Sequence, residues 1–178
     1  MRSAGRKGLA ASVLVALSCV GYDAGIDVDI ELTAPRATVG AGVESASLLV
    51  EFIELLPCEG TAGATIPSFG LAYAHGGEVS ADTIDVLETS HRLVTTLRPA
   101  PDEYCALRLH LGDAERDAAT LTRRTDDGVV TLNAPQQDID LAMSPRSYQE
   151  LGVHTLVFRY DYTRWTDDET FASSFWVE

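Results

Sequence analysis

The chain has 178 residues, 46% apolar and 22% charged, which suits one globular domain and is too apolar for a chain disordered throughout. Its 27 acidic side chains outnumber 13 basic ones, and the formal net charge of −14 repels phosphate backbones, which disfavours nucleic acid as a partner. Arg2, Arg6 and Lys7 all lie at the very start, so a chain lacking them carries −17.

Residues 1–18 have the layout of a secretory signal peptide: a basic start, an apolar run from Leu9 to Leu17, and the small residues Ala16 and Ser18. The run is shorter than the ~20 residues a membrane-crossing helix needs. Ala16-Leu17-Ser18-Cys19 resembles a bacterial lipobox, with Ala16 where leucine is usual, and this implies acylation of Cys19 as a membrane anchor. Plain cleavage after Ser18 is the alternative. Three cysteines in an exported chain leave one over. With Cys19 acylated, Cys58 and Cys105 remain to form a disulfide in an oxidising compartment, the alternative being two buried thiols.

Residues 19–25 read as a lipid-anchored tether, and residues 26–178 as the folded domain. Ile26 to Thr33 alternates strictly, with Ile26, Val28, Ile30 and Leu32 on one face and Asp27, Asp29 and Glu31 on the other, as in a strand with one wet face. Carboxylates two apart project the same way, but in a single row they make no cage for calcium, so a solvated face is expected. Ala46 to Leu56 is apolar at nearly every position, which suits a strand covered on both sides or one carrying a bulge. Glu59 to Gly77 is the longest irregular stretch and contains Phe69, Tyr73 and His75.

Asp82 to Glu88 and Arg92 to Leu97 read as two short strands, a hairpin by the length of their connection. Tyr104 to Asp113 alternates again, placing Cys105, Leu107, Leu109 and Leu111 toward the core and His110 on the polar face. Thr120 to Arg124 and Val129 to Asn133 flank a turn ending in Asp127-Gly128. Asp138 to Ala142 is another short strand. Ser144 to Gly152 has a serine cap, a proline at the first helical position and a closing glycine, and predicts one or two helical turns. Val153 to Trp165 is the second long strand, Thr166 to Glu169 a turn, and Phe171 to Val177 closes a last hairpin. Eight to ten such strands with at most one short helix predict an all-β antiparallel sandwich.

Chemistry is sparse. The histidines His75, His91, His110 and His154 stand singly, without the close pairs a metal site displays; His110 and His154 are the pair that could meet across a sheet. No G-x-S-x-G occurs, and the adjacent acids Asp126-Asp127 and Asp167-Asp168 fall in predicted turns, so no catalytic residue is assigned and no enzyme is expected. Tyr160, Tyr162, Trp165 and Trp176 crowd the C-terminal part. Tyr162, Trp165 and Trp176 are the binding candidates, whether for a glycan or a protein partner, unless these rings are one end of the core.

Three segments in this order, Ala46–Pro57 (ASLLVEFIELLP), Asp82–Glu88 (DTIDVLE) and Pro99–Asp113 (PAPDEYCALRLHLGD), resemble exported bacterial β-sandwich lipoproteins of unknown function. Such turns usually have glycine after the proline, where this chain has Asp102. The same half is similar to a periplasmic copper-binding family found beside methanobactin genes, but no tryptophan and histidine cluster follows the Tyr104–Gly112 stretch here, so no ligand transfers and no cofactor is assigned. The resemblance implies a lipoprotein of a Gram-negative cell envelope, in the outer membrane or periplasm, acting as a non-catalytic binding or structural module. A periplasmic copper-binding protein is the alternative.

Overall fold

The computed structural model describes residues 26–36, 42–58, 82–88, 90–99 and 102–178. Residues 1–25, with Cys19, and the stretch holding Phe69, Tyr73 and His75 lie outside the described residues. Among the described residues ten strands form two sheets around an apolar core, so the fold is an all-β sandwich.

The smaller sheet has the order β10-β9-β1-β4. β1 (Ile26–Thr33) alternates as its sequence predicts, and its four apolar side chains are at most 2% exposed. It pairs antiparallel with β4 (His91–Leu97) and parallel with β9 (Gly152–Tyr160), from Ile26 opposite Gly152 to Thr33 opposite Arg159. Every other pairing among the described residues is antiparallel. The three acids of β1 meet partners on or just beyond β4: Arg98 donates to Asp27 at 2.9 Å, Thr96 to Asp29 at 2.6 Å, and His91 lies 2.7 Å from Glu31.

The larger sheet is built on β2 (Val43–Pro57). Ala46, Leu48 and Val50 are buried, and then Ile53 and Leu55, with Leu49 also covered on the opposite face. The phase changes where the register slips between Val50 and Phe52, so the nearly unbroken apolar run is two alternating half-runs joined by a bulge. Leu48 lies opposite both Ile84 of β3 (Asp82–Asp85) and Ala119 of β6 (Ala119–Thr125), and Val50 opposite both Asp82 and Leu111 of β5 (Asp102–Leu111). A strand has only two edges, so β3 takes one while β5 and β6 follow each other along the second. Leu49 marks their junction, donating to the Ala118 carbonyl at 2.8 Å and accepting from the Gly112 N–H at 3.0 Å. β7 (Gly128–Ala134) pairs with β6 through the expected Asp-Gly turn, and β8 (Gln137–Tyr148) borders β5.

Three local expectations are corrected. β3 and β4 are not a hairpin, because they belong to different sheets: Ile84 and Val86 enter the core from one side and Leu97 from the other. The stretch Ser144 to Gly152 is not helical, because β8 runs on to Tyr148 and buries that ring beside Tyr104, with centroids 6.0 Å apart. Pro145 falls between Ala142 and Arg146, where the ladder to β5 slips, and its missing N–H breaks no regular bond there. The long C-terminal strand stops at Tyr160. A 3-10 turn over Tyr162–Arg164 follows, then the short helix α1 (Asp168–Phe171), where Asp167 and Thr170 cap each other. A second 3-10 turn, Ala172–Ser174, leads into β10 (Phe175–Val177), which pairs back on β9.

Cys105 is the fourth correction. Leu107, Leu109 and Leu111 are buried, but so is Tyr104, three residues before Leu107, and Cys105 is only partly covered. The ladders to β2 and to β8 both slip at this residue. The extra residue turns Cys105 away from the core face and toward Cys58, just past the end of β2, and the two form a disulfide with Cα atoms 4.8 Å apart.

Candidate functional site

The outward face of β2, β5 and β8 carries a cross-strand polar cluster. Its order follows from register: Arg108 lies directly opposite Asp140 on one side and Glu54 on the other, and His110 opposite Asp138 and Phe52. Arg108 donates from Nε and a terminal nitrogen to the two oxygens of Asp140 at 2.6 and 2.8 Å, and its other nitrogen lies 3.9 Å from Glu54. This bidentate contact is what holds the Asp140 carboxyl below the usual carboxylate range. His110 stacks on Phe52 with ring centroids 3.6 Å apart. Its Nδ1 lies 2.7 Å from Asp138 and its Nε2 3.1 Å from Glu54. A neutral imidazole donates to one of these oxygens and a protonated one to both, so both nitrogens face carboxylates of the same ladder.

The sequence pairing of His110 with His154 is not made. His154 is on β9 of the other sheet, where its Nε2 meets the Glu150 carbonyl at 3.0 Å and its ring stands edge-on to Tyr148. Among the described residues no group of three or more His, Cys, Asp or Glu side chains is arranged to hold a metal ion, and Cys58 and Cys105 are consumed by their disulfide.

The aromatic candidates divide. Tyr162 and Trp165 are 2% and 0% exposed and belong to the core with Tyr160, Phe171 and Phe175, so neither can form a binding shelf. Their burial follows from the 3-10 turn, which folds the chain back over the end of the sandwich. Burial also pushes the Tyr160 phenol above its ordinary range. Trp176 alone stays partly exposed, with the guanidinium carbons of Arg159 and Arg164 5.6 and 5.3 Å from its ring.

Trp176 borders the feature that sequence reasoning missed. A cleft of about 360 Å³ separates Asp138–Ala142 of β8 from Ala172, Phe175 and Trp176. It is the seam where the border strand of the larger sheet faces the border strand of the smaller. A second hollow of about 330 Å³ continues past Ala142 to Glu178, where Arg146 donates to the Glu178 carbonyl at 2.8 Å and ties the two edges together. No sequence motif marks such a seam, since only the strand order reveals which strands are borders. No family model, curated protein or solved structure matches the chain significantly.

Proposed function

We propose that this chain is an exported, lipid-anchored protein of a Gram-negative cell envelope and that it acts as a non-catalytic binding or structural module. The observation that carries the reading is the pattern of commitment on the polar faces. His110, Arg108, Asp138, Asp140 and Glu54 engage one another in cross-strand ladders, and a concave feature among the described residues is a seam between two strand borders. Groups tied this way stiffen a surface rather than deliver protons to a substrate. The Cys58–Cys105 disulfide suits an oxidising compartment, and the N-terminal layout with Cys19 provides the route and the anchor.

The intact mass of the membrane-extracted protein tests the address. The expected chain begins at Cys19 and carries acyl mass on it, and a Cys19→Ser variant is released from the membrane fraction. A chain starting at Cys19 with no added mass would remove the anchor from the reading.

A further inference from the structure

We infer that the open border of β8, from Asp138 to Ala142, binds an extended peptide segment in which apolar and basic residues alternate. This names the partner for the binding reading above and rests on it, but not on the cellular address.

The argument starts from which backbone groups point into the seam. Within a strand, the N–H and C=O of one residue point to the same edge, and the direction alternates with each residue. The Gly112 N–H donates toward β2, so along β5 the groups of Leu111, Leu109 and Leu107 point to β8. Their register partners Gln137, Ile139 and Leu141 point back. The groups of Asp138, Asp140 and Ala142 therefore face away from β5, into the cleft. On the far wall, the Ser174 carbonyl and the Glu178 N–H bond to β9, so Phe175 and Val177 of β10 also turn their backbone groups outward. The seam is thus lined on both sides by main-chain donors and acceptors that no strand among the described residues takes up. An unpaired border of this kind is a template for a further strand.

Side chains around the same five residues specify the guest. On the inner side, Ile139, Leu141 and Phe175 supply an apolar floor. On the outer side, Asp138 and Asp140, engaged from β5 by His110 and Arg108, still keep 60% and 51% of their side chains exposed, two residues apart on one face, in a protein of net charge −14. A strand laid along β8 places every second side chain beside these acids and the others over the floor. Cations at the first set and apolar groups at the second complement the wall. The small residues Ala142 and Ala172 leave the backbone accessible, and the span fits about five extended residues.

Titration of the purified chain with acetylated, amidated Val-Lys-Val-Lys-Val, followed by amide chemical shifts, tests this. Saturable binding with shifts concentrated at Asp138, Asp140 and Ala142 is expected. The same peptide with N-methyl groups on alternate amides has the same charge, so a tenfold or greater loss of affinity is expected only if main-chain pairing holds it. Ala142→Pro removes one N–H from the open border, a change edge strands tolerate, and should weaken binding by a similar factor. Equal binding of the methylated peptide, shifts spread over the acidic surface, or no binding would each overturn the proposal. A dimer in sedimentation that Ala142→Pro dissolves would assign the border to a second copy of this chain instead. The mass measurement on Cys19 is unaffected by any of these outcomes, so the two readings fail separately.

Discussion

At the scale of single residues, the outward ladder of the larger sheet is where charge, register and pH meet. Asp140 takes two hydrogen bonds from Arg108, which favour its ionised form and lower its pKa below the ordinary carboxylate range. A carboxyl depressed in the folded state contributes stability that is fully present above the unfolded value and is lost as pH falls through the lower folded one. Asp140→Asn should therefore destabilise the protein at pH 6 by about 0.5–1 kcal/mol, a size limited by solvent screening of a half-exposed pair. The difference from the parent chain should shrink in urea titrations as pH falls through the lowered folded pKa of Asp140. Gly112 makes a different demand. Its φ is +76°, and a Cβ there would lie 2.8 Å from the Ala118 nitrogen and 3.0 Å from the Arg116 carbonyl oxygen, both backbone. Gly112→Ala should lower stability by roughly 1–3 kcal/mol, read as a lower urea midpoint. Gly128→Ala, where nothing lies within 4 Å, should cost less.

At the scale of elements, the strands that read most clearly are those whose alternation is unbroken. Ile26–Thr33 emerges with its expected bounds because one face is apolar throughout and the other charged. Bulges are what obscured the rest. β2 changes phase after Val50, and β5 inserts Cys105 between two inward residues, which a period of two cannot represent. Ser144–Gly152 carries a genuine helix-start pattern, but burying Tyr148 and extending the β5 ladder outweigh that local preference. The disulfide acts on elements too, fastening the end of β2 to the bulge in β5 across a sequence separation of 47. In the chain-entropy model a loop of that size contributes about 4 kcal/mol. Replacing both Cys58 and Cys105 by alanine should cost roughly 2–5 kcal/mol. Thiol reductant should lower the urea midpoint of the parent protein while leaving the double variant unmoved.

At the scale of the whole molecule, the 27 acids of one small chain repel one another. The ladders from Asp27 to Glu31 and from Glu54 to Asp140 relieve this only locally. Raising sodium chloride from roughly 0.01 to 0.5 M, which shortens the screening length several-fold, should raise the melting temperature in calorimetry; a falling one would mean the paired ladders outweigh the general repulsion. The core and the seam were legible to different degrees. Sequence alone determined the class of fold, the positions of most strands, the wet face of β1 and the pairing partners left once Cys19 is set aside, because alternation, turn residues and cysteine number act over a few neighbours. Only the tertiary structure decided that β1 runs parallel to β9, that His110 is held by Asp138 and Glu54 rather than meeting His154, that Tyr162 and Trp165 are core, and that β8 and β10 face each other with open borders. Those outcomes depend on which distant strands become neighbours, and strand order is set by the packing of the whole core, a sum over contacts that no local pattern records.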